Sequence, residues 1–464
     1  MTTTEDGGNM IIFNIFRQIN TVIPYAVLFS LAMIIIVLIF EVTKKYKNRQ
    51  KKQIKNNFRY SSHGIIFGKK GIGKVLYSPT DKEGHCIVIG GSGLGKTSAI
   101  LIPTLRSWTG TSFTIDISGD IEKNVDIPHK LVYEPANTNS MPYSIFGAID
   151  VLQGEDEQNE ALEQLAFLIM PDDDRMNDTS KFFNTEGRKI LTASLIAFYH
   201  SGLDFIQICE KIVFNDWKTL FNAIDSTGYN KAIQYINSFV GTSEQNTSGC
   251  KQATDSVLKL FATNEKVKKT IRRPRSSEIA FTPSQLEKYN VFVKIDDSKL
   301  KLYAPLLHII TAQSLEYFSE RSNDSKTTIL FCLDEFASLG KLELTDALRK
   351  LRKKHIRIMP LTQSLADIDL IYGRDERMAM MNNFRFKVIL GADDTDTQEY
   401  FSKLIGYQTV TKHSTSSNDR QITHTESDSK EFIIEPSELA HLGDKLILLH
   451  PDGYELLKKN FYYK

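Results

Sequence analysis

Lys96 and Thr97 close the octapeptide GGSGLGKT, residues 90–97, whose residue types and spacing are those of a loop that wraps phosphate. Gly91, Gly93 and Gly95 let the backbone approach closely, where a side chain would collide. Lys96 would set its ammonium against the β- and γ-phosphates of a nucleotide, and the Thr97 hydroxyl would ligate Mg²⁺. Gly90, Ser92, Leu94 and Ser98 complete the candidate nucleotide-binding run. A second string, GKKGIGKV from Gly68, has the same G-x-x-x-x-G-K outline. The bare outline should arise by chance in roughly one in ten chains of this length, and the stricter form ending in Ser or Thr in about one in a hundred. GKKGIGKV fails the stricter test, because Val75 stands where the metal-binding hydroxyl is needed. One nucleotide per chain is therefore expected.

A phosphate loop that works on its ligand needs acids. They arrive in TTILFCLDEFASLG, residues 327–340, where the apolar run ILFCL ends in Asp334 and Glu335. In an open α/β sheet, ligands bind at the carboxyl ends of the strands. Asp334 would hold Mg²⁺ through its water shell and Glu335 would polarise an attacking water. RIMPLTQSLADID, residues 357–369, supplies Gln363 at the tip of another short apolar strand. A glutamine there can sense the γ-phosphate or position the water; its plain alternative is a surface turn. Between the two lies LRKLRKKHIR, residues 348–357. Such a basic face is usually just solvated, but in a ring ATPase one arginine from this place reaches the neighbour's nucleotide. Asp116, at the end of SFTIDISGD, is read as structural, with Asp120 a helix cap.

These residues need a sheet to bring them together. HCIVIG before the loop reads as a buried parallel strand and TSAILIPTL after it as a helix, which aims backbone N–H groups at phosphate. GKKGIGKV instead sits between GIIF and VLYS, two β-like runs, so it reads as the turn of a hairpin. The fold class expected is α/β, with the nucleotide-binding core in two parts, residues 63–151 and 282–464. Between them, residues 152–281 are rich in helical patterns, such as EGRKILTASLIAFY and KQATDSVLKLFA, and read as an all-α insertion facing substrate. KVKKTIRRPR, residues 266–275, is basic at the exit of that insertion: an exposed linker or a phosphate-contacting surface. Residues 409–432 are Ser/Thr-rich and polar, and read as a flexible arm between strands, with His413 and His424 solvent-exposed rather than metal ligands.

The chain has 57 basic and 56 acidic residues, so its net charge of +1 neither favours nor excludes a polyanionic partner. Its four cysteines are widely spaced with no metal spacing, which suits a reducing compartment and gives no sign of zinc or a disulfide scaffold. The N-terminus departs from globular patterning. After a short segment, residues 1–20, the charge-free stretch 21–40 is long enough to cross a bilayer, giving an expected transmembrane helix over 21–42. The linker 43–62 follows, and residues 43–59 hold eight Lys or Arg and no acid. The positive-inside rule puts this side, and the bulk of the chain, in the cytoplasm. MIIFNIF, residues 10–16, is too short for a second span.

Taken in order, H-x-I-V-I-G-G-S-G-x-G-K-T, IPTL, TIDISGD, FFNTEGRKILTASL, LDEFASLGKLELTDALRKLRKK, TQSLADIDLIYG and SELAHLGDKLILLHPDGY resemble the coupling proteins of type IV secretion and bacterial conjugation. The resemblance spans roughly residues 63–455. It implies a RecA-like ATPase, homo-hexameric and anchored in the inner (cytoplasmic) membrane of a bacterial cell, here by the single pass that the sequence itself shows. Such a protein uses ATP and Mg²⁺ to pass single- or double-stranded DNA with its relaxase or relaxosome proteins, or secreted effectors, to type IV secretion channel components. It also implies Lys96 and Thr97 as Walker A residues, Asp334 and Glu335 as Walker B, Gln363 as sensor and Arg352 as arginine finger, with Arg349 the runner-up. The sequence departs from the family pattern in three places: one clear span instead of two, no lysine in Asp116-Ile117-Ser118-Gly119-Asp120, and no long acidic tail after FYYK. Substrate recognition is then expected elsewhere. Two other readings stay open: a nucleotide-gated receptor without motor activity, and a chromosome-segregation DNA translocase.

Overall fold

Short runs of aliphatic and aromatic residues supply the strands, and their order in the sheet brings the chemistry to one edge. The computed structural model describes residues 64–464, apart from 72, 80–83, 173–175, 277 and 419–420, and apart from the side chains of 414–425. The expected span and basic linker over 21–62 lie outside the described residues. Among the described residues, no helix is long and apolar enough to cross a membrane.

In chain order the strands are β1 (Ile66–Lys70), β2 (Lys74–Tyr77), β3 (His85–Ile89), β4 (Thr111–Asp116), β5 (Lys130–Tyr133), β6 (Asn290–Lys294) and β7 (Ile329–Leu333). There follow β8 (Ile356–Thr362), β9 (Phe384–Ile389), β10 (Tyr407–Asn418), β11 (Gln421–Phe432), β12 (Lys445–His450) and β13 (Gly453–Lys458). All but β10 and β11 join one sheet in the order β2-β1-β13-β12-β9-β3-β8-β7-β4-β6-β5. From β9 to β5 neighbouring strands are parallel. From β12 to β2 they are antiparallel. The inner strands β3 and β7 are buried at every position, which is why HCIVI and ILFCL are unbroken runs rather than alternating ones. At about 1.5–3 kcal/mol for each large apolar side chain withdrawn from water, these runs are the main source of the sheet's stability. GKKGIGKV is the turn of the β1–β2 hairpin, with Lys70 opposite Lys74.

The phosphate-loop strand β3 leads into α1 (Ile102–Ser107) through a wider opening run, Lys96–Leu101, where the Ile102 N–H reaches back five residues to the Thr97 carbonyl. After β4 comes the short α2 (Asp120–Asn124). Between β5 and β6 lies a helical insertion: α3 (Glu155–Ile169), α4 (Asp178–His200), α5 (Phe205–Val213), α6 (Trp217–Asp225), α7 (Asn230–Asn237), α8 (Glu244–Thr263) and α9 (Glu265–Thr270). Its caps are those the sequence offers: Asp204 and Gln207 form a reciprocal capping box on α5, and Asp216 and Asn264 accept from the first N–H groups of α6 and α9. Buried residues of the insertion, including Leu191, Phe205 and Phe261, run into the same core as Phe113 and Phe331 of the sheet. The second half of the sheet adds α10 (Leu300–Ser319), α11 (Leu344–Lys350), α12 (Leu365–Tyr372), α13 (Arg374–Asn383) and α14 (Thr395–Ile405).

The expected flexible arm over 409–432 is ordered differently. It forms β10 and β11, an antiparallel ladder registered from Tyr407 opposite Phe432 to Asn418 opposite Gln421. Its Ser/Thr-rich sequence has no apolar alternation to announce a strand, yet Thr is a good strand former. Tyr407 and Phe432 stack at its base, with ring centroids 4.7 Å apart. His413 pairs with Glu426 and is 70% exposed, as the solvent reading of that histidine requires.

Candidate functional site

The carboxyl ends of β3, β8 and β7 are adjacent in the sheet, and each carries one part of the predicted constellation. Gly90 donates its N–H to the Thr362 carbonyl at 3.1 Å, tying the first residue of the loop to the strand that presents Gln363. The loop then turns through Gly93 and Gly95, the latter at φ 97°, in the left-handed region. A cleft of about 580 Å³ opens there. Ser92, Gly93, Gly95, Lys96, Thr97 and Ser98 line it, facing Asp334, Glu335 and Gln363.

The other three loop residues stand behind this wall. A side chain at Gly90 would press on Leu390 and one at Gly91 on the Asp393 carboxylate, while Leu94 fills the space that glycine leaves at position 391. These positions shape the loop from its back instead of lining the cleft.

Within the cleft the charged groups converge. The Lys96 ammonium donates to the Gly90 carbonyl at 2.8 Å and stands 3.9 Å from the Glu335 carboxylate. The Gln363 amide N–H donates to the other Glu335 oxygen at 3.5 Å. Glu335 itself sits at φ 47° and ψ 44°, a left-handed conformation that costs a non-glycine residue about 1–3 kcal/mol and is met at functional sites. That turn aims its side chain at Lys96 and Gln363 while Asp334 stays only 5% exposed. Burial, then the Glu335 charge, push the Asp334 carboxyl up to about 7; Lys96 opposes the shift and Asp116 adds to it. A hydroxyl at Thr97 and a crowded carboxylate at Asp334 are hard oxygen donors with surplus negative charge beside them, a donor set that suits Mg²⁺. Among the described residues, no group of three or more His, Cys, Asp and Glu side chains could hold a metal ion without further ligands.

Asp116 has the structural role expected of it. Fully buried at the end of β4, it accepts from the N–H groups of Gly119 and Glu122 at the start of α2. Asp120, expected as a cap, instead stands as the first residue of α2 behind Gly119 and lines the cleft. His85, at the head of β3, was not singled out from sequence. Its Nδ1 accepts from the Ile358 N–H of β8 at 3.0 Å and its Nε2–H donates to the Leu348 carbonyl of α11 at 2.9 Å. Burial pushes this imidazole down to about 4.

Arg349 and Arg352 do not line the cleft of their own chain. Both are exposed on the segment between β7 and β8; Arg349 lies 3.6 Å from Asp346, and the Arg352 carbonyl accepts from Arg357. The basic run 266–275 is more neutralised than its composition implies. Lys268 pairs with Glu210 and Glu265, Arg272 with Glu278 and Arg273 with Asp150, which leaves Lys266, Lys269 and Arg275 exposed.

Sequence reasoning missed Ile117, Ser118, Asp297, Leu300 and Ser338 of the cleft lining, and also the end of the chain. Tyr462 lines the cleft, and Phe461 packs its ring against the loop at Gly95. The aromatic cluster in FYYK was the available signal, but nothing in the sequence says which surface it meets.

Fold and site together define a P-loop nucleotide-binding α/β protein with a helical insertion between two halves of its sheet. The family model described as type IV secretory system conjugative DNA transfer matches residues 39–464. The chain belongs to that family, the type IV coupling proteins. It is 24% identical to Protein VirD4 of Rhizobium rhizogenes over 428 residues, covering 86% of this chain and 62% of the relative. It is 23% identical to the conjugal transfer protein TraG of Agrobacterium fabrum, covering 77% of this chain and 57% of that one. The chain thus spans about three-fifths of the length of the curated relatives it matches. Among solved structures, the bacterial conjugative coupling protein TrwBdeltaN70 superposes with TM-score 0.70 at 18% identity, over 88% of this chain and 91% of that one. Plasmid coupling protein TrwB in complex with ADP and Mg²⁺ superposes with TM-score 0.69 at 19% identity, over 89% and 92% of the two chains. These likenesses establish the shared fold.

Proposed function

We propose that this protein is a membrane-anchored ATPase that drives conjugative or effector substrates into a type IV secretion channel. The observation that carries the reading is the convergence of Lys96 and Gln363 on Glu335, each within 4 Å of its carboxylate and beside Asp334. Three neighbouring parallel strands ending on a phosphate loop, an acid pair and a glutamine are what hydrolysis of a nucleoside triphosphate requires.

The nucleotide is ATP with Mg²⁺, the pair that matches the TrwB complexes with an ATP analogue and with ADP and Mg²⁺. Thr97 and Asp334 would hold the ion, which when bound supplies Lewis-acid charge neutralisation at the phosphate oxygens. Lys96 releases the Gly90 carbonyl to neutralise the β- and γ-phosphates. Glu335 takes up the proton of the attacking water, and Gln363 orients that water from its place beside Glu335. Arg352, or Arg349, completes the site of a neighbouring copy in a homo-hexamer, a role that suits side chains exposed outside their own cleft. The helical insertion faces the substrate: DNA carried with its relaxase, or a protein effector. Residues 21–42 anchor the assembly in the inner membrane, with the bulk of the chain in the cytoplasm.

A transfer assay with the full chain tests this reading. Lys96→Ala and Glu335→Gln should each abolish substrate transfer, with Glu335→Gln still binding ATP. Transfer at the wild-type rate by Glu335→Gln would instead mark a receptor whose nucleotide only sets assembly. Normal transfer without the protein, together with defective chromosome segregation, would move it to a segregation translocase.

A further inference from the structure

After β13 the chain does not leave the sheet but turns back over the helix that follows the phosphate loop. The Tyr462 N–H donates to the Ser98 carbonyl at 3.0 Å. Its carbonyl accepts from Arg106 at 3.3 Å, and the same guanidinium stacks over the Tyr462 ring, 5.0 Å from its centroid. Arg106 is fixed in turn by donating to the Asn124 carbonyl at 2.8 Å. Next door, the Phe461 ring lies 3.0 Å from where a side chain at Gly95 would begin, so the segment is pinned to both the loop and the helix. Tyr462, thus held, lines the cleft together with the aliphatic Ile102.

The position of that wall has chemical meaning. Lys96 and the Asp334–Glu335 pair mark the γ-phosphate end of the cleft, and Thr97 the metal. The helix then carries the lining onward to Ser98 and Ile102, beyond the residues that meet the β- and γ-phosphates and toward whatever is attached to the phosphate chain. In a nucleotide that is the nucleoside. An aromatic ring beside an aliphatic side chain, with both backbone groups of the tyrosine already satisfied, offers a base a stacking surface rather than a hydrogen-bonding edge. Base–aromatic stacking tolerates base identity, because every base has a π-face.

We propose that Tyr462 is the nucleobase wall of this site, stacking against the purine of the bound nucleotide. The inference deepens the nucleotide reading of the cleft and rests on it. Stacking area sets the preference, so purines bind ahead of pyrimidines, with adenine and guanine little distinguished.

Competition against labelled ADP on the full chain tests this, with ADP, GDP, CDP and tripolyphosphate as competitors. Tyr462→Ala should weaken ADP and GDP about tenfold, weaken CDP less, and leave tripolyphosphate where the wild type has it. Tyr462→Phe should behave as wild type. Tyr462→Leu, which keeps apolar bulk and both backbone bonds but has no π-face, should fail like alanine. Unchanged ADP affinity in both the alanine and leucine variants overturns the proposal. So does an equal loss for ADP and tripolyphosphate, which would mean that Tyr462 merely braces the phosphate loop through Ser98. Failure of the wild type to bind any nucleotide overturns the underlying reading instead, and is told apart because no variant is needed to see it.

Discussion

The Gln363 amide lies 3.5 Å from the Glu335 carboxylate, on the side opposite Lys96. Glu335 reaches this place because its backbone takes a left-handed turn immediately after the buried Asp334. The two acids of one dipeptide are thereby divided, one buried and the other turned out between an amide and an ammonium. A general base positioned this way contributes about 10²–10⁴ in rate. Glu335→Gln is therefore expected to lower kcat for ATP by at least about a hundredfold while ATP affinity stays within a few-fold. Steady-state hydrolysis and nucleotide titration check it. A fall in affinity as large as the fall in kcat would mean that Glu335 binds rather than activates.

Gly95 is constrained twice. Its φ of 97° disfavours any side chain, and a β-carbon would sit 3.0 Å from the Phe461 ring. Gly95→Ala is expected to cost about 1–3 kcal/mol of stability through backbone strain and to weaken nucleotide binding, because relief of either constraint moves the loop. Thermal unfolding with and without ADP reads both effects. An alanine variant with wild-type melting temperature would show that the loop relaxes without cost.

How much of this was legible in sequence depends on what kind of signal each residue left. Lys96 and Thr97 could be read from the spacing of GGSGLGKT, and Asp334, Glu335 and Gln363 because they follow apolar runs short enough to be buried strands, with parallel sheets putting ligands at that end. The order of strands was not legible, since β3 is flanked by β8 and β9 from far along the chain. Tyr462 was missed for the same reason: its partner Ser98 sits at the other end of the sequence, and three aromatics in a row specify no surface. The β10–β11 ladder escaped because pattern reading relies on one apolar face, and this hairpin has none. Glu335's left-handed backbone escaped because nothing in its residue type requires it.

His85 gives a prediction about pH. Its Nδ1 must stay unprotonated to accept the Ile358 N–H, and burial holds the imidazole down at about 4 from its ordinary 6.5. The unfolded chain therefore takes up the proton first as pH falls. The stability due to the neutral ring is fully present above about 6.5, declines between 6.5 and 4, and is gone below that. Between pH 7.5 and pH 5 the loss should be about 2 kcal/mol, at 1.36 kcal/mol per unit of pH below 6.5. Denaturant unfolding at the two pH values, wild type against His85→Gln, isolates this group from the others that titrate. An identical pH dependence in both proteins would refute it.

The hairpin gives the last prediction. The β10–β11 ladder pairs only with itself among the described strands, and its cross-strand ties are polar: Thr411 to Asp428 at 2.7 Å and Lys412 to Glu431 at 2.7 Å. Such surface pairs add at most about 1 kcal/mol each, and a two-stranded ribbon is at best marginally stable alone. At its root, the Tyr407–Phe432 stack and the bond from Ile433 N–H to the Gly406 carbonyl close the loop onto the end of α14. Replacing residues 410–429 with a two-residue turn should therefore leave the core intact. Shortening the loop lowers its closure entropy slightly, so the melting temperature is expected to hold within about 2 °C, and nucleotide affinity should not change. A drop well beyond that would place the ribbon in the folded core's cooperative unit. Normal stability with lost transfer would assign the hairpin to assembly or to contact with another component, for which its two unpaired edges are available backbone.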